Sequence, residues 1–194
     1  METFCAPDKL IGQRTLITGE VNTGKTTLAG LWADQVWNHL DMPRGVVMDM
    51  APTIPPDLCG HIRNRGIGGF VGFSSFTPDL LFRGDIHPPR LLGTSPDHIL
   101  ALARENRKRI EIWFADILSH DRVDLLIIND MSIYLQTGKV EKLTAVIHHA
   151  RTVIANGYQG TTLGADALSR AEQLAMNKIA RIFQHQVRLT KTLP

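Results

Sequence analysis

The sequence predicts an α/β fold in three layers, with a mostly parallel central sheet and helices on both faces. Three observations predict it. Short apolar runs, VDLLII at 123–128 and GVVMDM at 45–50, suit parallel strands that are covered on both faces and need no polar alternation. Segments with apolar residues at helical spacing alternate with these runs, the order of a parallel sheet with helical crossovers. Polar punctuation falls at the strand ends, at Gly19, Asp49, Asn129-Asp130 and Asn156, where open parallel sheets bind ligands. One cleft could collect all four.

The elements follow in order. A strand is expected at 14–18, ending at Gly19. A helix starts within GKTT and runs to about residue 38, with Leu28, Leu31, Trp32 and Val36 at helical spacing. The second strand ends near Asp49. Residues 51–96 are rich in Gly and Pro and read as an elaborated crossover, with short strand candidates at 70–73 and 80–82. Ser95 and Pro96 mark a helix start. That helix is expected to end near 104–108, with a second helical segment at 109–118. A buried strand at 123–128, a helix at 139–150 and a strand at 152–155 come next. A helix at 169–183 has Ser169 and Glu172 at capping-box spacing, and a short strand at 186–189 closes the pattern. The 194 residues fit one domain, residues 1–194.

Composition excludes little but directs attention elsewhere. The net charge of +2 makes no case for nucleic acid or a membrane surface. No window reaches the apolar length of a membrane span, the N-terminus does not resemble a signal peptide, and Cys5 and Cys59 share no metal-ligand spacing. These features read as a cytoplasmic protein with free thiols.

The chemistry is concentrated in Gly19-Glu20-Val21-Asn22-Thr23-Gly24-Lys25-Thr26, which fits G-x-x-x-x-G-K-[ST] completely. Successive backbone N–H groups of such a loop cradle phosphate oxygens. Lys25 reaches the β- and γ-phosphates, and the Thr26 hydroxyl binds magnesium. Thr27 continues a helix whose positive end faces the anion. The pattern lies between an apolar strand and an amphipathic helix, the context its mechanism requires. It points to ATP or GTP with Mg2+.

Acidic partners are sought at the other strand ends. Asn129 stands where most proteins with this loop place Asp, and Asp130 follows it. Either Asp130 serves magnesium, or Asn129 takes that place and Asp130 orients a water or acceptor; a turn-capping role for Asp130 is the structural alternative. Asp49 is a second candidate for magnesium or for an acceptor hydroxyl, with a plain strand exit as its alternative. Asn156 is a candidate nucleotide contact. In the crossover, Arg63 and Arg65 beside His61, and Arg90 near Asp85 and His87, could neutralise a moving phosphoryl group, or be solvated surface. No Asn-Lys-x-Asp follows a strand, since Asn177-Lys178 leads into Ile179-Ala180 within a helix; this argues against a Ras-like GTPase.

These residues resemble those of the P-loop NTPase superfamily, which implies its three-layer fold. The order Asp49, Pro55-Pro56, Phe82-Arg83-Gly84-Asp85 with Pro88, then Asp124 to Asp130 is similar to polynucleotide 5′-hydroxyl kinases. That likeness implies phosphate and magnesium roles for Lys25 and Thr26 and an acceptor-side role for Asp49. A weaker likeness to adenosylcobinamide kinase/guanylyltransferase covers 156–160 and 177–194. The expected function is magnesium-dependent nucleotide binding with phosphoryl transfer or hydrolysis, acceptor unknown. The alternative is a non-catalytic or slow nucleotide switch that binds a protein partner through 51–96.

Overall fold

The structure is a computed structural model that describes residues 6–41, 43–53, 69–160 and 166–190. Among these residues six strands form one parallel sheet: β1 (Arg14–Gly19), β2 (Gly45–Asp49), β3 (Leu80–Arg83), β4 (Val123–Asn129), β5 (Ala150–Tyr158) and β6 (His185–Leu189). Their spatial order is β3-β2-β4-β5-β1-β6. Among the described residues the helices are α1 (Lys25–Trp37), α2 (Pro89–Leu92), α3 (Pro96–Ser119), α4 (Ser132–Leu135), α5 (Val140–His149) and α6 (Ala167–Ala180), with a short 3-10 turn at Pro7–Lys9. This is the three-layer α/β architecture the apolar runs predict.

Strand side chains alternate between two cores. Ile17, Val47, Leu125, Ile127 and Ile154 face α1, packing on Leu28, Trp32 and Val36. Leu16, Val46, Met48, Leu126, Ile128 and Val153 face the other layer, built from α3, α5 and α6 through Ile110, Phe114, Leu143, Ile147, Met176 and Ile179. Both faces of the central strands are therefore dry, which explains their unbroken apolar runs.

The crossover contributes to the first of these cores. Val71 and Phe76 are buried, and Phe76 lies 4.7 Å from the ring of Trp37. Gly30 lets this segment approach, since a Cβ there would lie 2.2 Å from the carbonyl oxygen of Gly72. Asp34 on α1 accepts N–H groups from Ser74, Ser75 and Phe76 at 2.7, 2.8 and 2.7 Å. Burial works against this carboxylate, yet the N–H groups of Phe76, Ser74 and Ser75 hold its pKa below the ordinary carboxyl value.

Several expected elements differ. Residues 70–73 are not a strand, because the N–H and C=O of Val71 bond to the side chains of Asp49 and Arg83 instead of a neighbouring strand. The two helical segments expected at 95–118 are one helix of 24 residues, capped by Ser95, whose hydroxyl accepts the His98 N–H at 3.2 Å. The charged run at its middle leaves the apolar stripe Ala103, Ile110, Phe114 and Ile117 intact. Helix α6 begins two residues before the expected start and is capped by Asp166, which accepts the Ser169 N–H at 2.7 Å. Ser169 and Glu172 both turn to Arg90 instead of forming a capping box.

Candidate functional site

The loop between β1 and α1 reverses direction through two left-handed residues, Asn22 (φ 60°) and Gly24 (φ 87°). Gly24 takes this conformation without the steric cost that a Cβ would bring. The turn delivers Lys25 and Thr26 to the first turn of α1. Within the loop, the Thr23 hydroxyl donates to the Glu20 carbonyl at 3.0 Å, and the Lys25 ammonium donates to the same oxygen at 2.5 Å. Burial lowers the Lys25 pKa, while Asp130 and Glu20 pull it back up. The Glu20 carboxylate packs against Gly160, where an added Cβ would lie 2.2 Å from its carbon. Val21 and Thr27 complete the segment, with Thr27 exposed.

Sheet order decides what faces this loop. β5 lies between β1 and β4, so Asn156 sits between the loop and the end of β4. On the far side of β4, Asp49 is the register partner of Asn129. Thr26, Asn129, Asn156 and Asp49 are thereby joined. The Thr26 hydroxyl donates to Asn129 Oδ1 at 3.1 Å. Asn156 Nδ2 donates to the same oxygen at 2.7 Å. Asn129 Nδ2 donates to Asp49 Oδ1 at 2.7 Å and to the Gly69 carbonyl at 3.1 Å. It is thus Asn129, not Asp130, that touches the Thr26 hydroxyl.

Asp130 follows with a left-handed backbone, φ 55°, its N–H donating to Asn156 Oδ1 at 3.0 Å. Its carboxylate accepts the Ser132 hydroxyl at 2.7 Å. Burial raises its pKa, opposed by the Ser132 hydrogen bond and by the charge of Lys25.

Asp49 is fully buried. Besides Asn129 it accepts the Val71 N–H at 2.9 Å, and it pairs with Arg83, whose Nε and terminal nitrogen lie 3.1 and 2.9 Å from Oδ2. The Arg83 guanidinium also stacks on Phe70, 4.6 Å from the ring centroid. Arg90 lies near the same end of the sheet: it binds Glu172 at 2.7 Å and the Ser169 hydroxyl at 3.1 Å, and its charge is felt by Asp130. Burial raises the Glu172 pKa despite that pairing. Arg63, Arg65 and His61, like Cys5, Cys59 and Pro55-Pro56, lie outside the described residues.

Arg83, Glu172 and Ser132 are polar groups that motif reading did not assign to the site. Arg83 enters only because β3 lies beside β2 and stops level with Asp49, its register partner. No pattern local to FRGD signals that.

A divalent cation bound beside a phosphate needs oxygen ligands and keeps several waters. Thr26 Oγ1 and Asn129 Oδ1, 3.1 Å apart, are two such oxygens already facing each other, so the residues fit magnesium. They offer it a hydroxyl and an amide rather than a carboxylate. No helix among the described residues is long and apolar enough to cross a membrane.

No known protein-family profile matches the chain, and no curated protein sequence does. Among solved structures it is similar to the helicase domain of Hef from Pyrococcus furiosus, with a TM-score of 0.44 and 14% identity over 95% of this chain and 36% of that one. It is also similar to the Pif1 helicase from Candida albicans, with a TM-score of 0.41 and 14% identity over 94% of this chain and 37% of the other. The chain therefore spans little more than a third of the length of either protein.

Proposed function

We propose that the chain binds a nucleoside triphosphate with magnesium and promotes attack on its terminal phosphate by water or by an acceptor hydroxyl. The observation that carries this reading is the loop of 19–26, with Lys25 half-buried at its centre and Thr26 aimed at the end of β4. In this reading the loop N–H groups and Lys25 hold the phosphate oxygens and offset their charge. Lys25 leaves the Glu20 carbonyl to do so. Thr26 and Asn129 hold the magnesium ion, which when bound neutralises charge on the phosphates. Asp130, close enough to Lys25 for their charges to interact, is the carboxylate placed to take a proton from the attacking hydroxyl, and burial raises its proton affinity. Asp49, with both oxygens hydrogen-bonded, serves the site through Asn129 in this reading, not as an acceptor-side base.

A second reading, a slow nucleotide switch, is favoured by the amide at 129. A neutral side chain beside Thr26 holds magnesium less firmly than a carboxylate. One experiment addresses both. Nucleotide binding and magnesium-dependent phosphate release are measured for the chain and for Lys25→Ala, with and without a 5′-hydroxyl oligonucleotide. Release well above the Lys25→Ala control supports the enzyme, and transfer to the oligonucleotide supports the kinase branch. Lys25-dependent binding without release supports the switch. Binding that survives Lys25→Ala would sink both.

A further inference from the structure

The side chains at the ends of β2 and β4 form a carboxylate–amide pair whose geometry fixes which way the amide points. The inference drawn from it rests on the nucleotide and magnesium reading above. A primary amide has a donor end and an acceptor end, and its partners decide the orientation. Asn129 has a full set. Nδ2 gives its two hydrogens to Asp49 Oδ1 and the Gly69 carbonyl, at 2.7 and 3.1 Å. Oδ1 accepts from Asn156 and Thr26, at 2.7 and 3.1 Å. Asn156 is itself oriented, since its oxygen accepts the Asp130 N–H at 3.0 Å and its amide nitrogen must face Asn129.

Asp49 provides the constraint from the other side. An ionised carboxylate only accepts, so it turns the donor end of Asn129 toward β2 and the oxygen toward Thr26. Its burial is compensated by Arg83 at 2.9 Å and the Val71 N–H at 2.9 Å. We propose that Asp49 is a positioning residue: it holds the Asn129 oxygen on the cation side, while its own charge stays one side chain away from Thr26, neutralised by Arg83. The carboxylate stands at the end of β2 and the amide at the end of β4. An aspartate at 129 would be wrong in this chain, because it would set two carboxylates against each other where 2.7 Å now separates a donor from an acceptor.

The test is a swap cycle of Asp49→Asn, Asn129→Asp and the double variant. Two quantities are read: the thermal midpoint, and the affinity for a non-hydrolysable ATP analogue with and without Mn2+, free Mn2+ being followed by its paramagnetic signal. Asn129→Asp alone melts lower than the parent. The double variant recovers most of that loss, because the amide now on β2 can donate to the carboxylate now on β4. In the double variant Mn2+ binds the nucleotide complex about tenfold more tightly than in the parent, since the carboxylate now adjoins Thr26. Asp49→Asn alone weakens Mn2+ by roughly tenfold, the usual effect of losing a partner that orients a ligand. In Asp49→Asn the affinity measured without metal falls by less than the affinity measured with Mn2+.

A double variant no more stable than Asn129→Asp would overturn the pairing. Equal losses with and without Mn2+ in Asp49→Asn would overturn the cation role, leaving Asp49 merely structural. The melting comparison involves no nucleotide. A parent that binds the analogue no better than Lys25→Ala therefore marks failure of the functional reading and of the cation role, while the pairing is still decided by the melts.

Discussion

At the scale of single residues the site is a set of commitments made by hydrogen bonds. Thr26 has one hydroxyl, and its proton already points to Asn129 Oδ1. A cation held by both side chains takes the place of that proton, the hydroxyl turning so that a lone pair faces the metal. Replacing Thr26 by Val keeps the branched shape and removes the oxygen, whereas Ser keeps the oxygen. Thr26→Val should lose about tenfold of the magnesium-supported part of nucleotide affinity, with metal-free binding unchanged, and Thr26→Ser should retain it. Calorimetric titration of an ATP analogue with magnesium and with a chelator checks this. An equal loss in both titrations would assign Thr26 to loop packing instead.

At the scale of elements the crossover is held to α1 by two contacts that can be broken separately. Asp34→Ala removes the acceptor of three N–H groups in the half-exposed turn at 74–76. The expected cost is about 1–2 kcal/mol after allowance for solvent screening. The Asp34 pKa is lower in the folded chain than in the unfolded one. Its contribution is therefore present above the ordinary carboxyl value and is lost as pH falls through the folded value. Urea melts should show the full gap between parent and variant at neutral pH and a narrower one once the pH is well below the ordinary carboxyl value. Gly30→Ala acts on packing instead. Its methyl would meet the Gly72 carbonyl, so overpacking should destabilise the fold by about 1–3 kcal/mol at every pH, and an unchanged urea midpoint would refute that contact.

These contacts also mark what local pattern reveals. The loop of 19–26 and the strand ends were legible, because phosphate chemistry and strand burial impose short-range spacing. The pairs Asp49–Arg83, Arg90–Glu172 and Asp34 with 74–76 are 34 to 82 residues apart in sequence. They arise when tertiary packing brings strand ends and helix faces together. Residues 70–73 have strand-like composition and lack the strand for the same reason: side chains from β2 and β3 claim the Val71 backbone.

At the scale of the whole molecule the order β3-β2-β4-β5-β1-β6 makes the site a junction rather than a local feature. The loop belongs to β1 and α1, Asn156 to β5, Asn129 to β4 with Asp130 just beyond it, and Asp49 to β2, so four of the six strands of the described sheet meet there. Lys25 is the cation at its centre, with burial lowering its pKa against the pull of Asp130 and Glu20. A phosphate chain would offset the cost of that burial with opposite charge and add bonds to the ends of several elements, so a bound nucleotide should resist unfolding of the sheet as one unit. Ligand at one hundred times its dissociation constant adds about 2.7 kcal/mol to any fold that binds it and whose unfolded chain does not. For a domain of this size that is a rise of roughly 5–10 °C in the thermal midpoint. The shift should scale with the logarithm of ATP concentration, shrink when magnesium is chelated, and vanish in Lys25→Ala. A shift in Lys25→Ala equal to that of the parent would show that the nucleotide binds elsewhere than the loop.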